Sequence, residues 1–533
     1  MADRTCDVIV IGAGAAGAAA AWRLAGHGFN VICLEQGDWT DPSRSPSASP
    51  DWELRRQADW HPNPNVRRGA ADYPVDDTDC PIRPLMFNGV GGSTVMWSCH
   101  IPRFHPSDFR MATLDGVGDD WPLGYAELAP YYDLNETMMG VAGLAGNPAY
   151  PAAESTRTDA VGLAPGARLL AAAFGKRGWS WWPADLSVHT GHGYTANEVC
   201  NNCGPCELHC PRRAKGAADT AYWPEALRRG ARLVTGARVS QVLAGPNGRA
   251  AGVVYRDRSG AETRLSAPAV LLAANGVGTP RLLKLSASAG QPDGLANRSG
   301  LVGRRLMLHP LARVTGLFDM PVAGHRGITA GSLVSHHFYE TDRRRGFVRG
   351  IKLQGLGTPG PALVASGALG QRLPWGAEHH DRFVRVFDRS YSLSICADDL
   401  PHPENRVELS ETLTDSDGLP APKMIYRVGN ETRKALDFGL ARAHEAMTAA
   451  GAIETIEMPL VRDAGFHLMG TARMGDDPET SVVNRWNESH DVPGLFVIDG
   501  SAFVTAAAVN PTNTLQALAL RAADHIHATR ADR

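Results

Sequence analysis

Near its start the chain reads Asp7-Val-Ile-Val-Ile-Gly-Ala-Gly-Ala-Ala-Gly17, and this stretch decides the fold. The apolar run Val8–Ile11 predicts a buried strand. Gly12, Gly14 and Gly17 have the G-x-G-x-x-G spacing of a dinucleotide-binding turn. The first glycine allows the tight turn, the second lets the backbone approach a pyrophosphate, and the third lets the next helix pack on the strand. The free N–H groups at the start of that helix favour phosphates.

An acidic residue, Glu35, ends the next predicted strand. A carboxylate at this position can accept hydrogen bonds from ribose hydroxyls. A glycine turn with a purely structural role is the alternative, but the strand before it, the helix after it and the acidic strand end favour a dinucleotide. The motif itself does not separate FAD from NAD.

Length and composition indicate a globular protein of two or more domains. The chain has 533 residues, of which 43% are hydrophobic and 20% are charged. A net charge of -3 with scattered Lys and Arg predicts no nucleic-acid partner. We find no signal peptide and no apolar run of about 18 residues, so we expect no direct membrane span. The expected location is cytoplasmic, with export only through a partner protein.

Several element predictions follow from the pattern. Strand-like segments separated by Pro and Gly between residues 310 and 460 predict a mainly antiparallel sheet. Residues 124–140 have helical spacing, and Pro130 is expected to split that helix. Another helix is expected to begin at Thr279-Pro280.

The chain carries a second glycine turn, Gly91-Gly-Ser-Thr-Val-Met-Trp-Ser98, and the segments Leu308-His-Pro310 and Phe466-His-Leu-Met-Gly-Thr-Ala-Arg-Met-Gly475. Asp499-Gly500 and Asn510-Pro-Thr-Asn-Thr514 follow near the end. Together with the first glycine turn, these motifs resemble the glucose–methanol–choline (GMC) family of flavoprotein oxidoreductases. Their wording is closest to pyranose oxidases and bacterial sugar or polyol dehydrogenases.

The resemblance implies an α/β fold in which a Rossmann-type FAD-binding domain is assembled from discontinuous segments. A sheet-plus-helix substrate-binding domain would lie over the flavin. The FAD-binding segments are expected at residues 1–40, 80–110, 195–310 and 460–533. The substrate domain is expected at residues 41–79, 111–194 and 311–459.

The resemblance also implies the catalytic pair, with His467 as the base and Asn510 as its partner, both in front of the flavin N5. His309 is expected to be a structural turn residue before Pro310. The chemistry needs such a pair, because hydride loss from a carbinol carbon leaves positive charge unless the hydroxyl proton departs as well. A histidine can take that proton, and an amide can orient the substrate oxygen.

The remaining cofactor contacts are carried over from the same family. Asp499, Gly500 and Thr512 would hold the ribityl–phosphate and pyrimidine end of FAD, and the Val239 backbone would contact the adenine. Ser98 would lie near the flavin N5. The flavin-side loop would contribute Gly91, Gly92 and Ser93. In several pyranose oxidases a histidine of this loop is linked covalently to the flavin. Here Met96 or its neighbour replaces that histidine, which predicts non-covalent FAD.

The implied function is oxidation of a hydroxyl group on a sugar, glycoside or polyol. Electrons would pass to an external acceptor, such as an electron-acceptor protein, or to dioxygen. Two alternatives remain open at this stage. The substrate could be an aryl or aliphatic alcohol, or the chain could be a flavin electron-transfer subunit without its own alcohol site.

A cluster of four cysteines has the C-x2-C-x2-C-x3-C-P spacing of bacterial ferredoxins. Some sugar dehydrogenases of the GMC family hold an iron–sulfur cluster in the corresponding loop, and other members hold none. An iron–sulfur cluster, a zinc site, and bare thiols or a disulfide are therefore all open. The candidate ligands are Cys200, Cys203, Cys206 and Cys210.

Overall fold

A five-stranded parallel sheet lies at the centre of the fold in this computed structural model. The structure describes residues 4–69, 71–155, 157–191, 198–328 and 331–532, so the predicted domain limits at residues 1, 195 and 533 fall outside it. Four of its strands are fully buried and almost wholly apolar because both faces of the sheet are covered there, whereas the edge strand Arg232–Thr235 is partly exposed. Their order across the sheet is Leu495–Val497, Ala269–Leu272, Val8–Ile11, Val31–Glu35 and Arg232–Thr235.

The first and last long helices pack against each other beside this sheet. The helix Ala15–Gly26 is rich in buried alanine, which allows the C-terminal helix Thr512–Ala528 to approach closely. Arg23 Nε donates to the Asp524 carboxylate over 2.6 Å and joins the two helices at their outer ends. The two ends of the chain therefore form one structural unit.

A six-stranded antiparallel sheet forms the second large layer. The helix Asn430–Ala449 packs on it and buries Leu436, Leu440 and Met447. In spatial order its strands are Glu454–Met458, Leu311–Leu317, Ser390–Ala397, Ile351–Leu356, Leu333–Ser335 and Trp182–Pro183. The predicted antiparallel character of this region agrees with the strand pairing.

Three smaller sheets and further helices complete the described chain. A four-stranded sheet contains Arg4–Thr5, Glu262–Ser266, Ala250–Arg256 and Arg238–Ala244. The others contain Arg406–Thr414, Pro420–Ile425 and Asp76–Asp79, and Val141–Ala142 with Leu186–Ser187. The remaining α-helices are Trp52–Arg56, Pro64–Arg67, Met111–Asp115, Tyr125–Met138, Pro165–Lys176, Ala218–Ala221, Trp223–Arg228, Asn275–Leu285, Pro361–Ala365 and His379–Val386.

The expectation that Pro130 splits its helix is wrong, because Tyr125–Met138 is continuous. A proline inside a helix costs about 3 kcal/mol. Contacts beyond the proline offset this cost: Tyr132 hydrogen-bonds Thr514 at 2.8 Å, and Arg103 binds Glu136 at 2.7 Å. Tertiary contacts therefore outweigh the local preference.

The helix expected to begin at Thr279-Pro280 begins earlier, at Asn275. The Asn275 side-chain oxygen accepts the backbone N–H groups of Val277 and Gly278 at 2.9 and 3.1 Å. The Asp499 carboxylate accepts the N–H of Asn275 itself at 3.0 Å. These acceptors satisfy N–H groups of the first turn. Pro280 cannot donate to the Gly276 carbonyl oxygen, which accepts the Thr471 hydroxyl at 2.8 Å instead.

The predicted α/β fold with a Rossmann-type nucleotide-binding sheet is confirmed. The division of the chain into two sets of domain segments stays a prediction. Within the described ranges, no helix combines the length and the apolar character needed to cross a bilayer.

Candidate active site

A cavity of about 340 Å³ opens at the carboxyl edge of the parallel sheet. Ligand pockets commonly measure about 300–1,000 Å³, and parallel α/β sheets bind ligands at this edge. Gly17 and Gly91 do not line the cavity. The other predicted catalytic and cofactor residues do, and they are Gly12, Gly14, Glu35, Gly92, Ser93, Ser98, Val239, His467, Asp499, Gly500, Asn510 and Thr512.

The two glycine turns contact each other on one wall of the cavity. Gly12 has φ +101°, and a Cβ there would lie 2.5 Å from the Ala273 carbonyl oxygen. A Cβ on Gly17 would fall on the carbonyl oxygen of Gly12, so glycine is needed for helix and strand to pack. Gly92 has φ +54°, and a Cβ there would lie 2.7 Å from the Gly14 Cα. The backbone itself therefore forms this wall.

Glu35 stands at the end of its strand with only 5% of its surface exposed. One carboxylate oxygen accepts the Ala13 N–H at 2.8 Å, and the other accepts the Gly37 N–H at 2.9 Å. Burial raises its pKa from the ordinary value. The carboxylate braces the glycine turn, and each oxygen keeps a further acceptor site toward the cavity.

Asp499 joins the last strand of the sheet to the helix Asn275–Leu285. Its carboxylate accepts the Thr279 hydroxyl at 2.6 Å and the Ser501 N–H at 2.8 Å, and burial raises its pKa. A Cβ on Gly500 would lie 2.5 Å from the Leu468 carbonyl oxygen. These contacts bring the 499–500 turn against the chain that carries His467.

These residues fit a dinucleotide such as FAD. Pyrophosphate binds to a glycine backbone without Cβ atoms and to a helix N-terminus, and ribose binds to a carboxylate at the end of the second strand. The cavity offers all three elements. Met96, at the position where the resemblance predicts no covalent attachment, also lines the cavity.

His467 and Asn510, which are distant in sequence, meet inside the cavity. The Asn510 amide nitrogen lies 3.3 Å from His467 Nε2. On the opposite side of the ring, His467 Nδ1 lies 2.9 Å from Nδ1 of His309. His309 Nε2 in turn lies 2.7 Å from the Ala507 carbonyl oxygen and 3.0 Å from that of Ala506.

This chain of contacts assigns the tautomers. Carbonyl oxygens only accept, so His309 Nε2 carries its proton and His309 Nδ1 is left as an acceptor. His467 must then donate from Nδ1, which leaves the lone pair on Nε2. The Asn510 N–H groups point to this lone pair. Nε2 is therefore the proton-accepting atom of the site.

Electrostatics keep both rings neutral. Burial, His309 and Lys352 hold the pKa of His467 well below its ordinary value, and burial lowers the pKa of His309 to about 4. Lys352 Nζ donates to the Asn510 side-chain oxygen over 2.6 Å, which orients the amide nitrogen toward His467. Burial lowers the pKa of Lys352 to about 8.

His309 and Lys352 contact the predicted catalytic pair, and the sequence did not reveal either contact. His309 adopts a turn conformation, with φ +51°, as predicted. Its ring also contacts His467, so the prediction of a purely structural role is incomplete. Lys352 lies in the otherwise uncharged strand Ile351–Leu356. A single lysine in a buried strand was the only sequence signal for it, because lysine is rarely buried without a purpose.

The cysteine segment, residues 200–210, surrounds a second cavity of about 30 Å³. Lys215 Nζ ties this segment to the flavin-side loop, since it donates to the carbonyl oxygens of Cys206 at 2.7 Å and Val95 at 2.8 Å. Desolvation raises the pKa of Cys203 to about 11. The four cysteines that line the cavity are Cys200, Cys203, Cys206 and Cys210.

The placement of these thiols does not support the predicted iron–sulfur cluster. Within the described residues, no three His, Cys, Asp or Glu side chains are grouped closely enough to hold a metal ion, which leaves the zinc alternative without support as well. In the part of the chain that the structure describes, none of the four is joined in a disulfide, so that alternative is not supported either. The segment braces the flavin-side loop through Lys215.

Residues 188–311 and 401–519 match the family described as GMC oxidoreductase, and residues 7–47 match the one described as FAD dependent oxidoreductase. The chain is 41% identical to 2-methyl-1,2-propanediol dehydrogenase of Mycolicibacterium austroafricanum, over 98% of this chain and 95% of that protein. It is 30% identical to the fructose dehydrogenase large subunit of Gluconobacter japonicus, over 98% of both chains.

Among solved structures, pyridoxine 4-oxidase from "Mesorbium loti" superposes with a TM-score of 0.69 at 18% identity, over 98% of this chain and 99% of that one. At this identity the likeness concerns the fold alone. The sequence matches show the family as well as the fold, because they span nearly the whole chain at 30% identity or more. They show that the chain is an FAD-dependent oxidoreductase and belongs to the GMC oxidoreductase family.

Proposed function

We propose that this protein oxidises a hydroxyl group of a diol, polyol, sugar or glycoside, with His467 as the base and Asn510 as the residue that orients the substrate oxygen. The observation that carries the proposal is the Nε2 lone pair of His467, fixed in a cavity that fits FAD. Alcohol oxidation by the family and the names of two relatives, a diol dehydrogenase and a fructose dehydrogenase, support the substrate class.

FAD, when bound, supplies the acceptor for the hydride that leaves the carbinol carbon. His467 Nε2 takes the hydroxyl proton, so the product is a neutral carbonyl. His309 accepts the hydrogen bond from His467 Nδ1 and stabilises the ring as it becomes positive. Asn510 donates to the substrate oxygen from the amide nitrogen that Lys352 orients toward the site.

The cofactor roles of the remaining residues belong to this proposal. The backbone around Gly12, Gly14 and Gly17 would hold the pyrophosphate, Glu35 the ribose, and Val239 the adenine. The ribityl–phosphate and pyrimidine end would contact Asp499, Gly500 and Thr512, while the flavin-side loop contributes Gly91, Gly92, Ser93 and Ser98. FAD is held without a covalent bond, because Met96 offers no attachment atom.

The test is anaerobic flavin reduction by candidate alcohols in the wild type, in His467→Ala and in the matched control His402→Ala, whose side chain is exposed. We expect His467→Ala to retain FAD absorbance and to lose at least about 100-fold in the reduction rate, the scale of general base catalysis. The control should match the wild type. Unchanged reduction in His467→Ala would refute the base, whereas no reduction of the wild-type flavin by any alcohol would favour an electron-transfer subunit.

A parallel substrate screen separates the classes. Sugars and polyols should reduce the flavin faster than benzylic or simple aliphatic alcohols. Peroxide formation in air identifies dioxygen as the acceptor, whereas turnover only with an artificial dye indicates an electron-accepting partner.

A further inference from the structure

Two buried aspartates, Asp398 and Asp399, directly follow a strand of the six-stranded sheet. Asp398 accepts a hydrogen bond from the Arg349 guanidinium at 2.8 Å. The Asp399 carboxylate instead accepts the backbone N–H of Leu308 at 2.7 Å and the hydroxyl of Tyr426 at 2.8 Å. Only 1% of its surface is exposed. A carboxylate is costly to bury, so its hydrogen bonds show which part of the backbone it holds.

The backbone that Asp399 holds is strained. His309, the residue after Leu308, has φ +51°, which is unfavourable for a residue with a Cβ. Pro310 follows directly, and the residue before a proline prefers an extended backbone. Such a conformation persists only where surrounding contacts hold it. Burial raises the pKa of the Asp399 carboxyl, and the N–H groups of Leu308 and His309 oppose that shift. Both N–H groups therefore stabilise the carboxylate at this turn.

The direction of the His309 ring depends on that backbone. Its Nε2 lies 3.0 and 2.7 Å from the carbonyl oxygens of Ala506 and Ala507, and its Nδ1 lies 2.9 Å from Nδ1 of His467. If His309 relaxed to a negative φ, its Cα–Cβ bond would change direction and the ring would leave the line between these partners. Asp399 therefore acts on the base through one intermediate ring.

We infer that Asp399 is a positioning residue for the proposed reaction: it holds the backbone of Leu308 and His309 so that His309 Nδ1 accepts the hydrogen bond from His467. This inference rests on the proposed function and deepens it. Asp399 does not line the cavity, so it acts through His309 and not on the substrate. Loss of the contact should slow proton transfer to His467 without weakening substrate binding, so kcat and kcat/KM should fall together.

The first test is anaerobic flavin reduction at saturating substrate in Asp399→Asn, which keeps the size of the side chain and removes its charge. We expect the rate to fall at least about tenfold, the scale of a hydrogen bond to a charged group. Asp398→Asn, at the neighbouring position, is the matched control. It weakens the contact with Arg349, so it should lower Tm and keep the rate within about twofold of the wild type.

A milder variant covers the case in which Asp399→Asn does not fold. Tyr426→Phe removes only the hydroxyl that donates to Asp399 and leaves the ring in place. We expect it to slow flavin reduction by about 2- to 10-fold, the scale of one neutral hydrogen bond. An unchanged rate in both Tyr426→Phe and Asp399→Asn, or in Tyr426→Phe alone where only that variant folds, overturns the inference.

A double-mutant cycle tests whether the effect passes through His309. His309→Ala removes the ring that Asp399 positions, so adding Asp399→Asn to it should slow the reaction by less than about a further twofold. The same holds for Tyr426→Phe. A purely structural contribution elsewhere in the fold would multiply in full with the loss in His309→Ala.

Selective 15N labelling of histidine in the holoenzyme separates the positioning role from turnover. In a fixed neutral tautomer the N–H nitrogen and the lone-pair nitrogen have well-separated 15N shifts, which average when the tautomers exchange. The signals of His467 are assigned by their loss in His467→Ala. They should be separate in the wild type and in Asp398→Asn, and averaged in Asp399→Asn. This measurement stands even if no alcohol is oxidised.

The outcomes are distinct. A wild-type rate with separate His467 signals in a folded Asp399→Asn overturns the positioning role and leaves His467 as the base untouched. A loss that multiplies in full with that of His309→Ala also overturns it, because Asp399 would then act by another route. No reduction of the wild-type flavin by any alcohol overturns the proposed function, while averaged His467 signals in Asp399→Asn still support the positioning of His309.

Discussion

Replacing His309 tests whether the tautomer of His467 depends on its neighbour. In the structure His467 Nδ1 donates to His309 Nδ1 over 2.9 Å, and His309 is anchored by the Ala506 and Ala507 carbonyl oxygens. His309→Ala leaves the buried Nδ1–H of His467 without an acceptor, at a cost of about 1–3 kcal/mol. If the activation free energy of flavin reduction rises by that amount, the reaction slows by about 5- to 150-fold. His309→Asn keeps a side-chain oxygen that can accept the bond, so it should lose less.

The assay is anaerobic stopped-flow reduction at saturating substrate, normalised to bound FAD. His309 is fully buried, so thermal unfolding of each variant checks that the fold is retained. Wild-type rates in a folded, FAD-loaded His309→Ala would refute the reasoning, as would identical losses in the Ala and Asn variants. The first result denies the role of the contact, and the second assigns the loss to packing rather than to the hydrogen bond.

Further predictions concern pH, cofactor and stability. Since the pKa of His467 lies well below its ordinary value, the base stays unprotonated as the pH falls, and flavin reduction should persist without loss from pH 7.5 to 6.5; a half-maximal rate near pH 6.5 would contradict this. Glu35→Ala removes the acceptor of two backbone N–H groups and should weaken FAD binding to the apoprotein by at least about tenfold. Gly12→Ala should purify with little FAD and a lower Tm, because its Cβ meets a carbonyl oxygen. Arg349→Met leaves three buried carboxylates without their cation and should lower the free energy of unfolding by about 3–5 kcal/mol in denaturant titration.

Much of the nucleotide site could be predicted because its signals are local. The spacing of Gly12, Gly14 and Gly17 and the acidic end of the second strand describe a single turn between adjacent elements. A backbone that must turn tightly or approach a neighbour needs glycine whatever surrounds it. The family resemblance then supplied His467 and Asn510, which lie in one cavity in the structure.

The partners of that pair could not be predicted in the same way. His309 and Lys352 come from separate regions of the chain, and neither is distinguished from a structural residue by its neighbours in the sequence. The four cysteines show the limit of an argument from spacing. Their spacing matches a ferredoxin motif and all four line one small cavity, but within the described residues no three metal-binding side chains are grouped closely enough to hold an ion, so the iron–sulfur prediction is without support.

By itself the sequence determined the family, the dinucleotide turn and the apolar strands of the central sheet, because these depend on neighbouring residues and on the two-residue and 3.6-residue periods of strand and helix. The contacts made on folding decide which nitrogen of His467 carries the proton and how the Asn510 amide is oriented. Hydrogen bonds depend on distance and direction between side chains that meet only after folding. For that reason, the chemistry of this site follows from contacts between segments more than 150 residues apart, such as His309 with His467 and Lys352 with Asn510.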